Sequence, residues 1–185
     1  MGLGYKCAKI YVLQKKAVSV QLLRGSTGSW YGPGAATGGV RFYQASSRGK
    51  TAVNVSLAGL DGLASGYHVH ILPIKSGNSN PCSDANIRGH YNPFNVSTSP
   101  DPGTGTVDQY EIGDISGKFG TLAGRNAIQA VYEDSNMPLS GPLGILGRSL
   151  VIHYTNGSSV NSLLLWCPGT CYGRLTGLHF PKCTR

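Results

Sequence analysis

Thr51-Ala52-Val53-Asn54-Val55-Ser56-Leu57 and, shortly after it, Gly66-Tyr67-His68-Val69-His70 decide how this chain is read. The first run alternates apolar and polar residues with the period of a strand that buries one face. The second, taken as a strand through Leu72, directs both imidazoles to one face, because side chains two apart in a strand lie on the same side. Two imidazoles on one face, joined by others from elsewhere in the chain, make a nitrogen-rich site. Such a site suits copper or zinc and is poor for calcium or magnesium.

Working outward, Lys9–Leu13, Ala17–Leu23, Gly39–Gln44, Val107–Ile112, Ala127–Tyr132 and Ser149–Tyr154 also read as strands, and the tail from Cys171 to Cys183 offers one more. Gly25 to Gly39 reads as a glycine-rich loop. From Pro73 to about Thr106 no strand signal occurs. A loop of that length in a compact domain is usually functional or pinned, with Cys82 a natural pin and His90 a natural reason. No helix of ordinary length stands out. With 27 glycines and 10 prolines in 185 residues, the composition fits a turn-rich β domain better than a helical one. The expectation is one all-β domain over residues 1–185. Its form is an eight-stranded Greek-key β-barrel, or immunoglobulin-like sandwich, with long metal-site loops.

The net charge is +8, but the basic residues are scattered and the nearest thing to a run is Lys15-Lys16. That pattern argues against nucleic acid as a partner and for a general pull on small anions. No stretch of 18 apolar residues exists to span a membrane. Three Asn-x-Ser sequons, at Asn54, Asn95 and Asn156, together with five cysteines, tilt the chain toward the secretory route. The cysteines, at 7, 82, 167, 171 and 183, contain no Cys-x-x-Cys pair, so disulfides are the plainer reading and one thiol is left over.

Four of the five histidines fall in short motifs that occur in a fixed order. These are Gly66-Tyr67-His68-Val69-His70, His90-Tyr91-Asn92-Pro93-Phe94 and Gly147-Arg148-Ser149-Leu150-Val151-Ile152-His153, with Gly113-Asp114-Ile115-Ser116-Gly117-Lys118-Phe119-Gly120 between the last two. Through these motifs the chain resembles the copper/zinc superoxide dismutase family from about Val40 to His153, and more loosely to Arg174. The resemblance implies copper held by His68, His70, His90 and His153, one ion per chain, and superoxide anion as substrate. It implies cycling between cupric and cuprous ion, yielding oxygen and hydrogen peroxide, with His90 releasing copper and taking up a proton in the reduced state. It also implies an arginine beside copper, which Arg174 fills by position.

The zinc half of the family's site does not carry over. No histidine lies between His90 and His153, and Glu111 stands where a zinc histidine would be, with Asp114 at the zinc aspartate. One carboxylate and a shared imidazole are too few ligands for tetrahedral zinc. The pattern resembles the copper-only branch, which occurs as secreted or surface-attached single domains and as repeats, so neighbouring domains of the same type are possible partners. Without zinc, the far nitrogen of the His90 ring needs another partner, and Glu111 is the expected acceptor. The family's disulfide implies a Cys82–Cys171 bridge, although Cys171 precedes Arg174 where the family's cysteine follows it. Cys7 and Cys183, near the two ends, form the second expected pair.

Residues 154–173 contain no charged side chain, whereas the family carries guiding charges there. Leu163-Leu164-Leu165-Trp166 reads instead as a packed or partner-facing loop. That neutrality keeps an alternative open, in which the domain is structural, adhesive or copper-binding with little or no dismutase activity. His179 has no assigned role.

Overall fold

The computed structural model describes residues 10–14, 17–22, 36–46, 48–74, 82–155 and 159–164. Eight strands lie among them: β1 (Ile10–Gln14), β2 (Ala17–Leu22), β3 (Thr37–Gln44), β4 (Thr51–Ala58), β5 (Ala64–His70), β6 (Ala127–Asp134), β7 (Ser149–Tyr154) and β8 (Ser159–Leu164). Two short helices, α1 (Asp84–Ile87) and α2 (Ile115–Phe119), sit in the connections. The protein is all-β, as its alternating runs predict. Every strand pair is antiparallel, in a five-stranded sheet of order β1-β2-β3-β4-β6 and a three-stranded sheet of order β5-β7-β8. The chain leaves β4 for the second sheet, returns to pair β6 with β4, and crosses again to pair β7 with β5. Among the described strands the two sheets do not close into one barrel.

Register and burial follow from period two. On β4, Thr51, Val53, Val55 and Leu57 face inward, while Asn54, Ser56 and Ala58 are exposed. Val53 pairs with Phe42 and Val55 with Val40, and from the other side Ile128 pairs with Leu57. These cross-strand apolar pairs meet Tyr67, Val69, Leu150 and Ile152 of the second sheet in one core. The opposite face of that second sheet carries His68, His70, Val151 and His153. Part of it is covered by the long loop, whose Ile74, Cys82 and Ile87 pack on Val151 in a small separate cluster.

Two readings of the sequence are corrected. Val107–Ile112 is not a strand: residues Val107–Gln109 form a 3₁₀ turn. The Gln109 carboxamide accepts the Thr106 N–H at 2.8 Å, and the Tyr110 hydroxyl donates to Asp101 O at 2.8 Å while accepting the Gly105 N–H at 2.8 Å. The side chains of Gln109 and Tyr110 thus bond to the backbone of the preceding loop and hold the segment in a local turn in place of a ladder. Leu163 and Leu164 are not in a loop but end β8, opposite Leu150 and Ser149 of β7. The Cys171–Cys183 tail lies outside the described residues.

Phe42 is fully buried where the two sheets meet. Phe42→Ala is expected to destabilise the protein by about 3–5 kcal/mol, read as a lower urea midpoint at unchanged slope.

Candidate metal centre

Three backbone segments are knotted together beneath the histidines. The Val69 N–H donates to Gly113 O at 2.8 Å, the Gly113 N–H to Tyr91 O at 3.0 Å, and the Tyr91 N–H to Val69 O at 2.7 Å. Val69 lies between His68 and His70, Tyr91 follows His90, and Gly113 precedes Asp114. This closed ring of hydrogen bonds therefore fixes the starting points of four polar side chains, those of His68, His70, His90 and Asp114. It also requires glycine: a Cβ on Gly113 would lie 2.6 Å from Val69 O and 3.2 Å from the Tyr91 Cβ. Arg148 braces the same region, with its guanidinium 3.5 Å from the centre of the Tyr91 ring and Nη1 donating to Ile71 O at 2.8 Å.

The four predicted histidines converge. The His68 and His90 rings stack with centroids 4.0 Å apart, and His153 lies 5.0 Å from His68 and 5.3 Å from His70. His68, His90 and His153 each offer one ring nitrogen within 4.8 Å of the others, and His70 Nε2 is 3.2 Å from His153 Nε2. His68 and His70 come from β5 and His153 from β7. His90 comes from the long loop, where it forms an isolated bridge with His70.

Three acceptors decide which nitrogen stays bare on His68, His70 and His90. The Arg88 carbonyl can only accept, so the His70 nitrogen 2.6 Å away, Nδ1, must carry the proton, leaving an Nε2 lone pair. Glu111 Oε2 lies 3.1 Å from His90 Nδ1 and Asp114 Oδ1 3.3 Å from His68 Nε2. Each carboxylate takes an N–H and frees the other nitrogen of its ring. The freed nitrogen of His68, Nδ1, is buried and has no hydrogen-bond partner. Buried polar atoms are rarely left orphaned in this way. An imidazole lone pair without a donor, beside three more imidazoles, is what a borderline metal ion would satisfy, and the all-nitrogen set fits copper. The centre would bind through His68 Nδ1 and the Nε2 atoms of His70, His90 and His153.

Sequence reasoning singles out Glu111, but it misses Asp114 as a partner of His68 and Arg88 as a partner of His70. The signal for Asp114 was available: Asp-x-x-Gly opens α2, and the Asp114 side chain caps it by accepting the Gly117 N–H at 2.6 Å. Burial acts to raise the Asp114 carboxyl, but the bonds from His68 and Gly117 outweigh it and hold the group below its ordinary value. Arg88 gives no sequence signal. Its backbone sits at φ 60°, ψ −172°, a region ordinarily left to glycine, and it is this turn that aims its carbonyl at His70. Arg174, Cys7, Cys167, Cys171 and Cys183 lie outside the described residues. Cys82 is buried and engaged, and the cysteines it could pair with are all among those.

The comparisons with known proteins match this geometry. The family profile described as copper/zinc superoxide dismutase (SODC) fits residues 36–161, which hold all four histidines. The chain belongs to the copper/zinc superoxide dismutase family. It is 33% identical to the extracellular Cu-Zn superoxide dismutase of Onchocerca volvulus over 137 residues, 73% of this chain and 58% of that protein. It is 36% identical to the Cu-Zn superoxide dismutase of Talaromyces marneffei over 117 residues, 63% of this chain and 69% of that one. Among solved structures, Candida albicans superoxide dismutase 5 with Cu(II) superposes with a TM-score of 0.65 at 26% identity, covering 88% of this chain and 98% of that one.

Two outcomes are expected. A Cβ on Gly66 would lie 2.6 Å from His68 Cε1. Gly66→Ala should therefore displace that ring and weaken copper binding at least about tenfold in a chelator competition, with the fold retained by circular dichroism. Burial, more than the neighbouring His90 and His68, lowers the His70 pKa from 6.5 to about 4, against the opposing pull of the Arg88 carbonyl. Between these values the unfolded chain binds the proton and the folded one does not. The metal-free protein should thus keep its full stability above pH 6.5 and lose about 2–3 kcal/mol by pH 4.5 from this group. Urea unfolding at both pH values checks this, because His70→Gln should flatten that part of the dependence.

Proposed function

We propose that this chain is a secreted, copper-only superoxide dismutase domain. The observation that carries the reading is the pattern of bare and occupied ring nitrogens: one lone pair orphaned on His68, and the outward nitrogens of His68, His70 and His90 each already bonded to an acceptor. Copper would supply the electron exchange, taking an electron from one superoxide to give oxygen and returning it to a second, which with two protons becomes hydrogen peroxide. His68, His70, His90 and His153 hold the ion. Glu111 orients the His90 ring through Nδ1, so that His90 Nε2 can carry a proton to the second superoxide. Asp114 does the same positioning for His68. Arg174 guides the anion.

The zinc-free reading rests on the donor set. The His90 nitrogen that would face a second metal has Glu111 Oε2 at 3.1 Å, and Asp114 is spent on His68 and the α2 cap. Secretion is supported by the extracellular relative, by the sequons, of which Asn54 and Asn95 are exposed, and by a buried, engaged Cys82 suited to a disulfide. We read the crossing order of the two sheets as a Greek key, and residues 1–185 as one domain that can stand alone or beside others of its type.

One observation favours a second reading, a copper-holding domain with little turnover. Among the described residues that line the cleft over the histidines, Asp84 and Asp114 are charged and none is a lysine or arginine.

Stopped-flow superoxide decay with the copper-loaded protein distinguishes the two. Catalytic decay near the diffusion limit that is lost in His90→Ala is expected. Copper bound at one per chain without catalysis would establish the second reading instead. Glu111→Gln should lower turnover by about 10-fold or more while copper stays bound.

A further inference from the structure

Lys118 and Asp134 form an ion pair in which both side chains are fully buried, with Lys118 Nζ 2.7 Å from Asp134 Oδ2. Pairs of this kind are poor sources of stability, because the desolvation of two charges offsets their attraction, and a well-packed apolar pair of the same volume often does as well. The contacts around this pair give it a different use. Lys118 Nζ also donates to Ile112 O at 2.9 Å. Ile112 lies directly between Glu111 and Gly113, in the segment that brings Glu111 to His90 and Asp114 to His68. Asp134, at the end of β6, is itself fixed: its Oδ1 accepts the Asn136 N–H at 2.7 Å.

We propose that Lys118 is a positioning residue for the metal centre: it ties the 111–114 segment to the end of β6, and so sets where the Glu111 and Asp114 carboxylates meet the His90 and His68 rings. Two features of the local structure make the tie effective. The Lys118 side chain folds back over α2, so its ammonium reaches a carbonyl six residues earlier. The carbonyl it holds is not used by the Val69–Tyr91–Gly113 ring, which engages Gly113 alone in this segment. The ring therefore fixes the height of the segment over β5, and Lys118 fixes its rotation. Rotation about Gly113 would carry Glu111 and Asp114 away from their imidazoles without breaking the ring. An apolar pair at 118 and 134 could fill the same space but could not hold the carbonyl.

The inference rests on the copper reading above, and its test separates the two. The double substitution Lys118→Met with Asp134→Leu removes both charges and keeps the volume, so no buried charge is stranded. Wild-type protein that binds no copper would overturn the copper reading before the variants are compared. With copper bound, the double variant is expected to take up one ion per chain. Its Cu(II) electron paramagnetic resonance spectrum should show a changed parallel hyperfine splitting, and turnover per bound copper should fall about tenfold. Asp134→Asn keeps the shape and still accepts a bond from Lys118, so it should shift the same splitting in the same direction by less. A role in stability alone would lower the melting temperature and leave the spectrum of the bound copper unmoved. Spectra and turnover per copper that superimpose on wild type in both variants, or in Asp134→Asn if the double variant does not fold, would overturn the proposal.

Discussion

The three-way backbone ring of Val69, Tyr91 and Gly113 is the constraint on which the rest of the site depends. A strand, a long loop and a second loop far apart in sequence meet there with their main chains in contact, and each carries its polar side chains within two residues of the junction. The junction is held against displacement, because pulling any one segment away breaks two of the three bonds. The cost is steric: such an approach leaves no room for a side chain at one corner, and Gly113 fills it. The same economy recurs at Gly66, whose missing Cβ is the space that the His68 ring occupies.

Convergent histidines alone would not form a metal site, since a neutral imidazole has two tautomers and only one presents the right lone pair. Here the choice is made by groups that can only accept: the Arg88 carbonyl and the carboxylates of Glu111 and Asp114. Each takes the N–H on the side facing away from the cluster. The site thus sits on the outer face of the β5–β7 sheet with its back against the fold, not inside the core. This division lets the inward face of these strands pack Val69, Leu150 and Ile152 against Phe42 and Val53, while the opposite face of the same strands carries chemistry.

What the sequence makes legible follows the range over which each feature is determined. β4, whose alternation is set by a single buried face, and β7, an apolar run buried on both faces, have the bounds that their patterns predict to within a residue. The four histidines stand out because their spacing is local, two apart on β5 or embedded in short motifs. The residues 107–112 misread because Gln109 and Tyr110 bond to their own loop, which no alternation reveals. β8 misreads because a neutral, leucine-rich run carries no period until β7 supplies one face for it. The partners of the imidazoles were half visible: Glu111 by its place in the family's pattern, Asp114 only once α2 is seen to begin there, and Arg88 not at all, since its part is played by the backbone. The Lys118–Asp134 pair is invisible for the same reason, being fixed by where β6 ends rather than by any motif.

The charge around the centre sets the terms on which an anion can reach it. In the proposed copper form, imidazole ligands would leave the two positive charges of a cupric ion to be offset at close range by the Glu111 and Asp114 carboxylates. A zinc ion in the second site would have added positive charge where this chain places a carboxylate. The described walls of the cleft add Asp84 and no cation. In the proposed reading, attraction for superoxide has to come from outside these described walls, from Arg174 and from the +8 net charge of the chain. The second acts through water and is screened within about 10 Å at ordinary ionic strength. It raises the concentration of an anion near the surface but does not aim it. Aiming needs a fixed cation within a few ångströms of the open coordination position, and in the proposed reading that is the part given to Arg174, on which the difference between fast turnover and a merely copper-bound domain would depend.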